Sequence, residues 1–82
     1  MVKNMNSKSM TSLSDIYNLV VDNYVRKYNI SETARELWLD RNEPIELRGN
    51  VVVLAIDSEM KMSTLSQIYL SGLEEQFSIV LG

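Results

Sequence analysis

The chain has 82 residues, which is enough for one small domain and not for two. Apolar residues make up 45% of it and charged residues 23%, the proportions of an ordinary globular domain. With no cysteine and no histidine, the sequence excludes disulfides, thiolate zinc sites and histidine general bases. Its net charge of −3 has the wrong sign for a domain that holds nucleic-acid phosphates by bulk electrostatics.

The first residues contain little that could fold. Residues 1–9 are polar, include two lysines and lack the apolar stretch of a secretory signal. We predict that residues 1–11 are a disordered N-terminal extension and that residues 12–82 form the domain. No apolar run approaches the roughly 18 to 20 residues that cross a bilayer, so we expect a cytoplasmic protein with no membrane partner.

An apolar period of three and four residues predicts a first helix over 13–28. Ser12 and Asp15 fit a capping box before it, and Asn29 suits its end. Its tyrosines are predicted to be core residues with hydroxyls at the surface, rather than a platform for stacking bases. The predicted buried face consists of Leu13, Ile16, Tyr17, Val20, Val21, Tyr24, Val25 and Tyr28.

A short second helix is predicted at about 32–40, because Ser31 is a good N-cap and Pro44 cannot continue a helix. Ala34, Leu37 and Trp38 share one face, which favours a core position for the tryptophan over a binding site. The exposed side is acidic, which indicates a solvated face or, second, a patch for a basic partner. It carries Glu32, Glu36, Asp40 and Glu43.

The apolar period then changes to two, which predicts strands at 45–48 and 51–56 joined by a type II′ turn at Gly49-Asn50. This turn sets Leu47 opposite Val52 and Ile45 opposite Leu54. We therefore expect one apolar face on the hairpin, since a slip of one residue would scatter it. Its members are Ile45, Leu47, Val52, Leu54 and Ile56.

A third helix is predicted over about 59–80 after the start signal at residues 57–59, with Gly82 as its terminator. Gly72 on its buried face marks a close helix crossing or an approach to the sheet. The element order predicts an α+β fold with helices layered on a small sheet. The predicted buried face consists of Met62, Leu65, Ile68, Tyr69, Gly72, Leu73, Gln76 and Val80.

No pattern in the sequence indicates catalysis. The serines have no histidine to activate them, no pair of carboxylates is arranged for acid–base work, and the three glycines form no phosphate loop. The acidic residues of the second helix lack the dense oxygen spacing of a calcium loop. We expect a binding module that is not an enzyme and holds no metal or cofactor.

Four blocks, in their order and spacing, resemble the N-terminal domain (domain I) of DnaA, the bacterial chromosomal replication initiator, over about residues 12–82. The clearest block is ISETARELWL at 30–39, which is similar to the family's Ser-x-x-x-Phe-x-x-Trp segment. The hairpin at 45–56, the helix start at 58–60 and the segment Ile-Tyr-Leu at 68–70 resemble the blocks that follow it.

The chain departs from the family at three positions and at its end. Arg35 stands at the usual phenylalanine, Asp57 at a proline, and Met60 at the phenylalanine that begins the last helix. The family's acidic helicase contact falls on Ala34, so that role does not transfer. The family's third strand would follow residue 82, so we expect a fragment that lacks it or a shortened paralogue.

The resemblance implies a KH-like fold and a role in protein recognition: self-association at the origin, recruitment of the replicative helicase and binding of initiation regulators. DNA replication is then the process served, whereas ATP binding and duplex DNA binding belong to later domains of the full-length protein. The resemblance also points to two protein-interaction residues. Leu19 lies on the polar side of the first helix, and Met60 occupies the family's aromatic position.

Interpretations without a binding role stay open for both residues. Single exposed leucines are common, and Met60 would also fit a first-turn residue folded back on the hairpin. Two other functions stay open as well. One is a KH-like module for single-stranded nucleic acid, for which a Gly-x-x-Gly loop is missing and the basic residues are scattered, so single-stranded DNA binding is weak at most. The other is a stand-alone regulatory paralogue.

Overall fold

The computed structural model describes residues 12–82, so the prediction for residues 1–11 lies outside the described part. Helix α1 spans Leu13–Tyr28, and the Ser12 hydroxyl accepts a hydrogen bond from the N–H of Asp15 at 3.1 Å, as a capping box requires. Asn29 ends the helix in the left-handed conformation, with φ at 54°. The predicted bounds of this helix, its Ser12 N-cap and its end at Asn29 are confirmed, whereas the described residues show no return bond from the Asp15 carboxylate to the N–H of Ser12.

Helix α2 begins with one α turn at Glu32–Ala34, where the Ser31 hydroxyl accepts from the N–H of Ala34 at 3.1 Å. It continues as a wider π turn over Arg35–Leu39, closed by a 2.9 Å bond from the N–H of Asp40 to the carbonyl of Arg35.

The π turn changes which side chains of α2 are buried. Leu39 is fully buried, and Trp38 packs against the core as predicted. Leu37, however, is 58% exposed, so its predicted place in the core was wrong. A π turn contains more residues than an α turn, so the positions that follow it along the helix are rotated. This rotation places Leu39 on the inner face of α2 and Leu37 on the outer face.

An antiparallel hairpin follows, with strands β1 (Glu43–Arg48) and β2 (Val51–Ala55). Gly49 has φ at 63° and Asn50 does not have a positive φ, which agrees with a type II′ turn. Leu47 lies opposite Val52, as predicted.

The far end of the hairpin differs from the prediction. Pro44, not Ile45, lies opposite Leu54, and the pairing resumes at Glu46 opposite Val53. Ile45 is therefore the extra residue of a β-bulge and is 60% exposed. The bulge is next to a proline, which has no N–H to give to a regular ladder.

Helix α3 covers residues 59–81 in three parts: Glu59–Thr64, a π turn at Leu65–Tyr69, and Leu70–Leu81. The Ser58 hydroxyl caps its start, and Gly82 closes it with φ at 83°. The π turn again shifts the buried face. Met62 and Ile68 are 49% and 64% exposed, contrary to prediction, while every fourth residue from Lys61 to Leu73 is buried.

The core lies between α1 and α3. At Gly72, an added Cβ would overlap the ring of Tyr24, so the predicted close crossing is confirmed. The Tyr24 ring also meets Tyr69 edge-on at 6.0 Å. Tyr28 packs on Tyr24 at 4.9 Å but is 45% exposed, so its predicted core position was wrong. The buried core residues are Tyr17, Val20, Val21, Tyr24, Leu39, Leu65, Tyr69 and Leu73.

The element order and the α+β class agree with the sequence prediction. In the described residues the sheet has two strands, and β1 contacts α1. Within residues 12–82 no helix is both long enough and apolar enough to pass through a bilayer.

Candidate protein-interaction surfaces

Leu19 lies on the outer side of α1. Its side chain is 47% exposed, whereas Val20 and Val21 beside it are fully buried. The polar residues Asp15 and Asp22 share this side of the helix, so the leucine is an apolar point on a charged surface.

Met60 is in the first turn of α3 and is 72% exposed. Its side chain therefore does not fold back onto the hairpin, which the alternative interpretation required. Leu19 and Met60 lie on different helices, and neither lines either of the two clefts described below. They are two separate contact points.

A small cleft of about 270 Å³ lies between α2 and the start of α3. Leu37 lines it, and the prediction of a buried Leu37 had missed this exposed apolar residue. Lys61 also lines the cleft; it is 6% exposed, and its Nζ atom lies 3.8 Å from Oδ1 of Asp57. The long apolar stem of the lysine fills space that an apolar residue would otherwise occupy.

Arg35 connects two helices. Its guanidinium lies 2.8 Å from Oδ1 of Asp22 on α1 and 2.9 Å from Oδ1 of Asp40 at the end of α2. The hydrogen bond to Asp40, followed by that to Asp22, raises the pKa of Arg35. The arginine therefore holds α2 to α1 by charge.

A buried cluster of polar groups surrounds the hydroxyl of Tyr17. The tyrosine hydroxyl donates to the carbonyl of Leu39 at 2.7 Å and accepts from Nδ2 of Asn42 at 3.1 Å. The same Nδ2 atom donates to the carbonyl of Trp38 at 2.9 Å. This hydroxyl does not reach the surface, contrary to prediction, and burial raises its pKa. These hydrogen bonds have a structural role, because they hold the end of α2 against α1.

Four of the six basic side chains of the described part are in ion pairs. Lys27 and Tyr28 both donate to Oε1 of Glu75 at 2.8 Å, which ties the end of α1 to α3. Ion pairs also hold Arg48, Arg35 and Lys61. Within residues 12–82, no group of three or more acidic side chains is placed to hold a metal ion.

A second cleft is a groove of about 960 Å³ between β2 and the second half of α3. Leu47 and Leu70 face it and are 43% and 46% exposed. The sequence predicted one apolar hairpin face, and Leu47, Val52 and Leu54 do lie together on it. It did not predict that this face would stay open on the α3 side. The lining residues are Leu47, Gly49, Asn50, Val51, Val52, Leu54, Leu70, Leu73, Glu74, Phe77, Ser78, Leu81 and Gly82.

Comparison of the chain with protein-family models, with curated proteins and with solved structures finds no match in any of the three.

Proposed function

We propose that this chain is a protein–protein interaction domain of the kind that opens the DnaA initiator, KH-like in fold and cytoplasmic. Its role is to bind copies of itself, the replicative helicase and initiation regulators. The observation that carries the proposal is the exposure of Leu19 and Met60, at 47% and 72%. These are the two positions at which the family resemblance expects contact residues.

The helix surfaces support this role because they present apolar side chains on rigid elements. Leu19 is fixed by a helix whose other face is fully buried, and Met60 by a capped first turn. An anchor that is already ordered loses little entropy when a partner covers it. Methionine also adapts its shape to different partners, which suits a surface that binds more than one protein.

The charges argue against a nucleic-acid module. All eleven acidic residues lie in 12–82, whereas Lys3 and Lys8 lie outside it, so this part carries a net charge of −5. Four of its basic side chains are already in ion pairs. Phosphate binding depends on unpaired cations, and it would have to overcome the repulsion of the remaining carboxylates.

Sedimentation equilibrium of Leu19→Ala tests self-association. We expect the wild-type protein to associate as its concentration rises, and the variant to associate about five- to tenfold more weakly, since an exposed apolar anchor contributes about 1 kcal/mol. Ile79→Ala is the matched control, because Ile79 is 64% exposed on α3. Unchanged association in Leu19→Ala, with an intact circular dichroism spectrum, would remove Leu19 from the interface.

Titration with labelled single-stranded DNA tests the competing function. We expect no binding at physiological salt. Micromolar binding that weakens steeply with added salt would instead favour the KH-like nucleic-acid module.

A further inference from the structure

The outer side of α1 carries an apolar residue between two opposite charges. Asp15 precedes Leu19 on this helix, and Arg26 follows it. Because successive residues of an α-helix are about 100° apart, both charges lie within about 40° of the leucine. These three residues form the Leu19 stripe, which is negative near the start of the helix, apolar in the middle and positive near the end.

Both charges of the Leu19 stripe are exposed. Within residues 12–82 no ion pair involves Asp15 or Arg26, and the Arg26 guanidinium donates to Oδ1 of Asn23 on the same helix. The carboxylate of Asp22, which borders the stripe, is turned toward α2, where it lies 2.8 Å from the guanidinium of Arg35. Asp15 and Arg26 can therefore each form an ion pair with another molecule.

The Leu19 stripe lies on the side of α1 that faces away from the core. The inner side of the helix contacts α3 and β1, and Val20 and Val21 are fully buried there. Leu19 between these contacts and solvent is 47% exposed. A further strand in the sheet would lie beyond the inner side of α1, so the exposure of the stripe does not depend on it.

We propose that the Leu19 stripe binds the same stripe of a second copy, with the two α1 helices antiparallel and related by a two-fold axis. This pairing rests on the proposed self-association and gives it a geometry. Asp15 of each copy then lies opposite Arg26 of the other, so two ion pairs form, one at each end of the contact. The two Leu19 side chains are offset by about three residues, or about 4.5 Å along the axis, and meet near the centre.

Charge complementarity favours a second copy in this direction. The described residues of each copy carry a net charge of −5, so two copies repel each other unless local contacts offset the repulsion. A parallel pair would place Asp15 against Asp15 and Arg26 against Arg26, which adds like-charge contacts. The antiparallel pair replaces them with two attractive contacts. A two-fold interface needs a surface that complements itself, and the stripe does so.

The contact area is small, because α1 has 16 residues and is about 24 Å long. One leucine from each copy forms its apolar centre. We therefore expect a weak dimer with a Kd on the order of 100 µM.

Sedimentation equilibrium of charge-reversal variants tests this pairing. Asp15→Lys and Arg26→Glu should each weaken self-association at least about tenfold, because each converts both ion pairs into like-charge contacts. Glu43→Lys and Arg41→Glu are the matched controls, since they change the net charge equally at exposed positions outside α1. Both controls should associate within about twofold of the wild type. Wild-type association of Asp15→Lys and Arg26→Glu would overturn the pairing.

An equimolar mixture of Asp15→Lys and Arg26→Glu should form a heterodimer about as tight as the wild-type dimer. In this mixture the new lysine faces the new glutamate, and the native arginine faces the native aspartate. Such recovery also excludes unfolding as the cause of the loss, because an unfolded variant would not pair. Asp15→Asn and Arg26→Gln, which remove a charge without reversing it, should each weaken self-association about threefold. Absence of the heterodimer would overturn the pairing.

The double variant Asp15→Lys, Arg26→Glu distinguishes the two helix directions. Its exchanged charges should restore self-association to within about threefold of the wild type in an antiparallel pair. A parallel pair would keep like charges together and gain nothing from the exchange. Circular dichroism should show intact helices in this variant, and a folded double variant that stays monomeric would overturn the antiparallel direction.

Failure of this pairing and failure of the proposed function give different results. If Leu19→Ala weakens self-association and the charge-reversal variants do not, contact through Leu19 stands and the antiparallel pairing is refuted. A wild-type protein that stays monomeric up to about 1 mM would refute self-association as a whole. If Asp15→Lys weakens only the binding of the replicative helicase, the stripe belongs to that partner, and the pairing is again refuted.

Discussion

Gly72 shows how one residue sets the distance between two helices. It lies in α3 directly over the ring of Tyr24, which is only 5% exposed and has no room to turn aside. Glycine inside a helix costs about 1 kcal/mol relative to alanine, so its presence here indicates that packing outweighs helix propensity.

We therefore expect Gly72→Ala to destabilise the protein by about 1–3 kcal/mol, because the added methyl group must push Tyr24 or the helix away. Thermal unfolding measures this as a drop of several degrees in Tm. Ser71→Ala, at the exposed neighbouring position, controls for helix propensity and should change stability by less than about 0.5 kcal/mol. A rise in Tm for Gly72→Ala would mean that the crossing is looser than described.

The hydroxyl of Tyr17 gives a second prediction at this scale, on the pH dependence of stability. Burial raises the pKa of Tyr17 and of Tyr24 above the ordinary 10.0. The folded state therefore favours the neutral phenol more than the unfolded state does. The resulting contribution to the free energy of unfolding is fully present below about pH 10 and is lost as the pH rises beyond it. We expect urea unfolding to show falling stability above pH 10, with a smaller fall in Tyr17→Phe. An equal fall in both proteins would place the sensitivity elsewhere.

The same tyrosine shows what sequence patterns leave undetermined at single residues. The helical period predicts that Tyr17 is buried, and it is. The period does not say where the hydroxyl points, because its partners, the carbonyl of Leu39 and the amide of Asn42, come from a segment more than twenty residues away. Buried polar partners depend on tertiary packing, which a local pattern does not encode.

Among the elements, α2 depends most on a contact that sequence alone did not reveal. Arg35 lies between Asp22 and Asp40, and all three side chains are partly exposed. We expect Arg35→Met to lower stability by about 0.5–1 kcal/mol, with Arg41→Met as the control. The difference between variant and wild type should shrink in 1 M salt, as measured by urea unfolding. A loss that salt does not reduce would mean that packing, not charge, holds α2.

The sequence predicted where the helices end and where the hairpin turns more accurately than it predicted which helix residues are buried. Caps such as Ser31 and turns such as Gly49-Asn50 work through bonds within a few residues, so a local pattern reveals them. The π turns and the bulge at Ile45 each shift the register by one residue, and neighbouring elements select them. This is why Leu37, Met62 and Ile68 were assigned to the wrong face, and why the groove beside β2 could not be foreseen.

At the scale of the whole molecule, a thin core holds three helices and a hairpin while many apolar side chains stay outside. Leu19, Met60 and the groove beside β2 lie on different parts of the surface. With a net charge of −5 in the described residues, the domain favours partners that bring apolar and basic groups.

The measurement that tests this account most directly is titration of the labelled domain with the replicative helicase encoded in the same genome. We expect micromolar binding that becomes at least about fivefold weaker in Met60→Ser, because truncating an exposed apolar anchor costs about 1 kcal/mol or more. Ile79→Ser should bind as the wild type does. Absence of binding, or equal binding by Met60→Ser and the wild type, would contradict the proposed role.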